Sequence, residues 1–250
     1  MTKKTVDIYN NSATDWVRSK PITLSDFTGR PALFDACGDV SGAIVADLGC
    51  GEGYCARQML KNGAKQVDGI DISKRMIHAA QSMKGASENM NFDVGDITSL
   101  PMQSSFYDLA VGVFVFNYLS IEETFQSFAE VFRVLKPRGQ FVFCVPHPSF
   151  PFIWTGKTKP FYFSFEKGGY FSNRNNKTSG EIWRIDNKKL HVEMCHKLLS
   201  DYFDALQNAG FNTMPVIKEL GVDQWMIDEH PSFFEPIKDI PLHLLISIKK

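Results

Sequence analysis

Nowhere in this 250-residue sequence is there an apolar run approaching the ~20 residues that a membrane-spanning helix needs. The opening stretch MTKKTVDIYNNSATDW has two lysines and no apolar run behind them, so no secretory signal is expected there. A formal net charge of −1 supplies no global positive field, which argues against a nucleic-acid or anionic-membrane partner. The five cysteines (Cys37, Cys50, Cys55, Cys144, Cys195) are scattered, and they form neither a disulfide framework nor a CxxC zinc pattern. Reduced thiols in a cytoplasmic protein are the expectation. No carboxylate cluster suggests a metal, and no internal repeat or low-complexity block interrupts the chain. Hydrophobic residues at 44% and charged residues at 22% are ordinary for a soluble globular protein.

What is present is alternation. From residue 43 short apolar runs exchange places with helical patterns, as a parallel, helix-covered sheet reads. Strands are predicted at Ala43–Leu48, Gln66–Asp71, Met90–Gly95, Tyr107–Phe116 and Gln140–Val145, with two closing strands at Thr213–Leu220 and Leu242–Lys249. A helix is predicted from about Gly53 to Asn62, and Ser73 is placed to cap the helix after the second strand. Ser120 and Glu123 form a capping box ahead of the stripe Ile121, Phe125, Phe128, Phe132 and Leu135, with Pro137 and Gly139 as its stop. A last helix, Ser200–Ala209, is expected to be capped by Ser200 and to end at Gly210. The predicted architecture is a doubly wound α/β sheet with one irregular insertion near 147–190.

The informative segment is Asp47-Leu48-Gly49-Cys50-Gly51-Glu52-Gly53, which leaves the first strand and opens the first helix. Glycine suits a sharp turn and the close approach of a ligand to backbone, and ligands of open α/β sheets sit at the carboxyl ends of the strands. The spacing is not GxGxxG: the third glycine comes one residue early and Tyr54 holds its place. Without GK[ST], a phosphate-cradling P-loop is excluded as well. Asp71 ends the second strand, where a carboxylate can accept both hydroxyls of a ribose. Asp96 follows the third strand and can accept from an adenine amine, with the Ile97 backbone facing a ring nitrogen. Each aspartate alone reads as a turn or cap residue; the combination at three consecutive strand ends points to a nucleoside.

These segments resemble the class I S-adenosylmethionine-dependent methyltransferase family. VADLGCGEG matches its first motif, DGIDISKRMI its second and VGDITSLPM its adenine-binding segment, while YDLAVGVFVFNYL and LKPRGQFVF match the surroundings of its fourth and fifth strands. The resemblance is close over 41–146 and loose elsewhere. It implies a Rossmann-like sheet of order 3-2-1-4-5-7-6 with the last strand antiparallel. It also implies S-adenosylmethionine as cofactor and S-adenosylhomocysteine as product. Carried over by position, Gly49, Gly51 and Gly53 pass beneath the methionine moiety, with Cys50 in the same loop and Asp47 orienting it. Asp71 holds the ribose, Ile72 and Ile97 sandwich the adenine, and Asp96 binds its amine. Met76 lies beside this set and Phe114 near the methionine portion.

The resemblance implies one domain: an N-terminal helical lid (1–40), the cofactor core (41–146), a substrate cap (147–199) and a completion of the sheet (200–250). In the arm DIYNNSATDW, Tyr9 and Trp16 stand seven residues apart on one side of a helix, poised as a lid or as a helix packed on the sheet edge. The position after the fourth strand reads Phe116-Asn117-Tyr118-Leu119 rather than (N/D)PP(Y/F), which argues against a nucleic-acid amine as acceptor. Eleven aromatics fall between 141 and 171, so a small aromatic or apolar acceptor is expected, methylated on oxygen or nitrogen. Asn117, Tyr118, Phe150, Trp154, Tyr170 and Trp183 are the candidate acceptor contacts. His147 in VPHP and His196 in HVEMCHKLL are the candidate proton acceptors, set against an ordinary structural role for either. Glu181 and the cluster Asp228-Glu229-His230 are further possible pocket residues. The competing functions are aminopropyl transfer to a polyamine, which needs acceptor-side carboxylates, a non-catalytic cofactor-binding partner subunit, and protein methylation. Oligomeric state is not legible.

Overall fold

The computed structural model describes residues 3–154, 156–157 and 159–250, with side chains from residue 6 onward. Helices α1 (Lys3–Trp16), α2 (Leu24–Phe27) and α3 (Gly29–Cys37) precede the alternating core. That core runs β1 (Ile44–Leu48), α4 (Tyr54–Lys61), β2 (Gln66–Asp71), α5 (Lys74–Met83), β3 (Met90–Val94), β4 (Tyr107–Val113), α6 (Ile121–Val134) and β5 (Leu135–Pro146). Then come α7 (Phe150–Ile153), β6 (Phe161–Phe163), β7 (Lys177–Trp183), β8 (Lys189–Cys195) and α8 (Leu199–Ala209). The chain closes with β9 (Val216–Leu220), α9 (Gln224–Glu229), α10 (Pro231–Phe234) and β10 (His243–Lys249).

Seven strands form one sheet in the order β3-β2-β1-β4-β5-β10-β9. β10 runs antiparallel to both its neighbours, and the others pair in parallel. Counted within this sheet, the last two strands are the sixth and seventh, so the order is the expected 3-2-1-4-5-7-6. One face is covered by α6 and α8. There Phe116, Phe128, Phe141 and Phe143 are fully buried, with ring centroids 4.8–5.6 Å apart. The other face carries α3, α4 and α5 through Leu33, Cys37, Met59, Ile77 and Ala80. The insertion is not irregular: β6, β7 and β8 form an antiparallel sheet of three strands over a third apolar cluster that includes Leu24, Phe150, Phe161 and Phe234.

The capping box of Ser120 with Glu123 and the cap at Ser73 are present. Other boundaries differ. The fourth strand stops at Val113 because Phe114 turns left-handed (φ 55°), and a short 3-10 turn then carries Phe116–Tyr118 back over the strand end. α6 ends at Val134, where Leu135 is already extended, so Pro137 and Gly139 belong to β5 rather than stopping the helix. Ser200 does not cap α8: the helix opens one residue earlier, and the Asp201 carboxylate accepts the Leu198 N–H at 2.7 Å. Within the segment expected as a lid, α3 packs on the sheet while α1 lies near α5 and β8. All five cysteines are buried and unpaired. Among the described residues, no helix is long and apolar enough to cross a membrane.

Candidate functional site

The loop after β1 turns left-handed at Gly49, Gly51 and Gly53, with φ of 65°, 55° and 79°. It is tied to the next strand by the Cys50 N–H donating to Ile70 O at 3.0 Å. Asp71 takes one backbone N–H on each oxygen, from Gly51 at 3.0 Å and from Ser73 at 2.8 Å, so the carboxylate is aimed while lone pairs remain on both oxygens. A side chain built on Gly51 would meet nothing within 4 Å, so this stretch of backbone faces open space. Gly53 differs: a Cβ there would come within 2.8 Å of the Phe92 ring, and it lies outside the cavity wall as a packing glycine.

That open space is a cavity of about 1250 Å³, mouth included, at the carboxyl ends of β1, β2, β4 and β5. Asp47, Gly49, Cys50, Gly51, Asp71, Ile72, Met76, Asp96, Ile97 and Phe114 all line it, as do Asn117, Tyr118, Tyr9 and Trp16. Asp96 is oriented by the Thr98 N–H and hydroxyl, at 2.9 and 2.8 Å. Asp47 is buried with Oδ2 unpartnered. Burial pushes its carboxyl up to about 7 even though Arg30 pulls the other way. Burial also raises Asp71, against the two backbone N–H groups. The Asn117 Oδ1 is likewise buried without a partner.

α1 closes one side. Its Asn10 Oδ1 accepts from the Ser73 hydroxyl at 2.8 Å, and the Arg75 guanidinium returns a bond to Asn10 O at 3.0 Å. The Tyr9 and Tyr118 hydroxyls are hydrogen-bonded, and the Tyr9 ring packs 5.8 Å from Trp16 and 5.5 Å from Tyr118. The arm therefore reaches the same cavity as the glycine loop.

Several candidates lie elsewhere. His147 faces away: its Nε2 meets the Glu219 carboxylate at 3.0 Å, and its Nδ1 accepts the Ser149 N–H. β9 is an edge strand, and the exposed Glu219 there draws the imidazole outward. His196 is fully enclosed by Phe152, Phe165 and Tyr170, and its Nε2 bonds Tyr170 O at 2.8 Å. Neither histidine lines the cavity, and the expectation that they meet the acceptor is corrected. Of the eleven aromatics, Phe161 and Phe163 reach the cavity, while Phe141 and Phe143 are sheet core. Phe150 stacks behind Phe161 at 4.0 Å. Trp154 packs against the cluster beneath the cap, the Tyr170 hydroxyl accepts the Leu199 N–H, and Trp183 covers Tyr162. These three are structural, as is Glu181, which pairs with Lys189. His230 packs on Phe27 and Phe234, and none of 228–230 lines the cavity. Among the described residues no group of three or more His, Cys, Asp or Glu could hold a metal ion.

The structure adds residues that sequence reasoning missed. Arg18, Arg30 and Glu52 line the cavity within a buried ion network. Arg18 donates to Asp26 at 2.8–3.1 Å and to Glu52 at 3.1 Å, and Arg30 donates to Asp26 at 2.9 Å. Burial would raise Asp26, but Arg30 and Arg18 outweigh it and hold the carboxyl at about 2. The available signal was a set of charges, Arg18, Asp26 and Arg30, spaced through an arm of mixed polarity. His243 also lines the cavity; its signal was a lone polar residue at the head of an apolar strand.

Comparison with known proteins agrees with this geometry. Residues 45–139 match the methyltransferase domain family. The biotin biosynthesis bifunctional protein BioHC of Teredinibacter turnerae is 31% identical over 109 residues, covering 40% of this chain and 19% of that protein. A demethylmenaquinone methyltransferase of Tropheryma whipplei is 34% identical over 128 residues, covering 50% of this chain and 51% of that one. The chain thus spans between about a fifth and a half of these curated relatives. A solved S-adenosylmethionine-dependent methyltransferase of Mesorhizobium loti shares the fold, with TM-score 0.66 and 24% identity over 88% of this chain and 96% of that one. Residues 45–139 therefore form a methyltransferase domain, of the class I S-adenosylmethionine-dependent kind that its motifs resemble.

Proposed function

We propose that the protein transfers a methyl group from S-adenosylmethionine to oxygen or nitrogen of a small aromatic or apolar acceptor, releasing S-adenosylhomocysteine. The observation that carries this reading is the single cavity shared by the Gly49–Gly51 loop, Asp71 and Asp96 at one end and Leu24, Phe161, Phe163 and Ile182 at the other. The polar end suits a nucleoside: Asp71 keeps lone pairs for ribose hydroxyls, Asp96 and Ile97 stand where the adenine belongs, and Gly51 leaves the space a side chain would take. Leu24, Phe161, Phe163, Ile182 and Pro146 give the cavity an apolar stretch of wall, which supports an aromatic or apolar acceptor.

When bound, the cofactor supplies an electrophilic methyl group. The chain's own task is alignment and exclusion of water, and alignment alone is worth up to ~7–11 kcal/mol for well-oriented pairs. α1 covers the cavity through Tyr9 and Trp16, and the cap strands close the other side. Relatives named for methylating demethylmenaquinone and malonyl-acyl carrier protein support methyl transfer, and their acceptors differ from one another. The family match ends at residue 139, before the cap that bounds the acceptor end here.

Titration calorimetry of the chain with S-adenosylmethionine and S-adenosylhomocysteine tests the reading. Micromolar binding of both is expected, followed by label transfer from methyl-labelled S-adenosylmethionine to a panel of phenols, carboxylic acids and amines. Binding of neither ligand would refute it.

A further inference from the structure

We infer that His243 is the catalytic proton acceptor of this site, and that the acceptor is therefore a molecule attacking through a neutral hydroxyl group. The inference rests on the methyltransferase reading above and adds a residue and a chemical class to it.

The placement carries the argument. His243 heads β10, opposite Pro146 at the carboxyl end of β5, which is the ligand side of the sheet. Its ring meets Phe114 edge-on at 4.6 Å and stacks toward Phe161 of the cap at 5.9 Å. It thus stands between the loop wall and the cap wall of one cavity, where two ligands would meet. Of the other polar side chains lining that cavity, Asp47, Asp71 and Asp96 stand at the strand-end turns, Arg18, Arg30 and Glu52 belong to the ion network, and Asn117 and Tyr118 to the turn after β4.

Local bonding sets its tautomer. The Thr28 hydroxyl donates to Leu24 O at 3.0 Å, so its proton is already committed. In the 2.9 Å contact between Thr28 Oγ1 and His243 Nδ1, the ring nitrogen must then be the donor. The proton sits on Nδ1 and the lone pair on Nε2. Burial, then the nearby Arg30 and His147, disfavour the imidazolium and lower the ring to about 3, so His243 is neutral at pH 7. A neutral imidazole suits a site that must also admit a sulfonium cation.

Weak basicity is no obstacle for a hydroxyl acceptor, because a neutral hydroxyl oxygen becomes strongly acidic as it is alkylated. The acceptor's lone pair forms the new bond to the methyl carbon, and the pair of the broken S–C bond stays on sulfur. The O–H bond of the acceptor breaks and its proton passes to Nε2. One positive charge leaves sulfur and one appears on the imidazole, so the charge of the closed site is conserved.

Nitrogen-15 correlation spectroscopy of the histidine rings, in the full chain and assigned through the backbone, tests this without an acceptor. At neutral pH His243 is expected to carry its proton on Nδ1. Its ring signals are expected to move more than those of the other histidines when S-adenosylhomocysteine is replaced by S-adenosylmethionine. A proton found on Nε2, or no difference between the two complexes, overturns the proposal. A chain that binds neither ligand overturns the cofactor reading and this proposal together, whereas binding with a silent His243 overturns this proposal alone. With an acceptor from the panel, His243→Gln is expected to leave the KM for S-adenosylmethionine within about twofold and to lower kcat by ~10²–10⁴. A kcat within about threefold of the natural protein also overturns it.

Discussion

Replacing Asp47 by asparagine is expected to make the ligand-free protein more resistant to unfolding as the pH is raised. The carboxyl lies under the glycine loop, 2% exposed, with Oδ2 unpartnered. Burial moves it from 3.8 to about 7. The folded chain therefore holds this proton where the unfolded chain has released it, and between pH ~4 and ~7 stability falls as pH rises. At ~1.4 kcal/mol per pH decade the cost of ionising it reaches about 4 kcal/mol above pH 7. His243 works in the opposite sense: its pKa is lowered from 6.5 to about 3, so its contribution is lost as pH falls through that window. The natural protein alone then shows a flattened profile, and the informative quantity is the difference between Asp47→Asn and the natural chain. Asparagine keeps an oxygen for the Ala56 N–H that Asp47 accepts. Urea unfolding at pH 4 through 8 should show the variant gaining about 3–4 kcal/mol on the natural chain. A difference that changes by less than about 1 kcal/mol would refute the reasoning. It would mean that Asp47 is hydrated or paired in solution, and not held dry to receive a ligand.

Asp71→Ala should weaken S-adenosylmethionine binding about ten- to a hundredfold in calorimetry, the loss of ~1.5–3 kcal/mol of charge-assisted bonding; unchanged affinity would remove Asp71 from the ribose. Gly49→Ala should cost about 2–5 kcal/mol in urea unfolding, since the position has φ 65° and a Cβ would lie 2.6 Å from Val115 Cβ. A loss below 1 kcal/mol would show that the loop relaxes freely. His147→Ala should leave turnover within about twofold, because the ring bonds Glu219 outside the cavity. A tenfold loss would restore it to the site.

The cofactor half of the site was legible because its residues are sequential neighbours of strand ends. Asp47, Asp71 and Asp96 each follow from reading one strand and the turn behind it, and parallel pairing then places all three turns on one edge. The sheet order came from the family resemblance and not from the repeat. What failed were inferences about facing. A strand boundary cannot say that Phe114 turns left-handed, so Asn117 and Tyr118 reach the cavity by a 3-10 turn and not along an extended strand. Proximity to the end of β5 made His147 a candidate, yet side chains alternate across a strand and an edge carboxylate takes the outward one. Aromatic abundance in the cap was read as a wall, but many of those rings pack on each other, and Phe152, Phe165 and Tyr170 enclose His196.

By itself, then, the amino-acid order determined the layered sheet, the glycine turn and the three strand-end carboxylates, all of them local patterns with a fixed period. Only the tertiary structure decided which face each later side chain presents. Arg18, Arg30 and His243 enter the cavity from segments far apart in the chain, and they are brought there by antiparallel β10 and by an arm that folds back across the sheet. Contacts of that kind depend on long-range packing, where one turn of backbone sends a histidine inward or out.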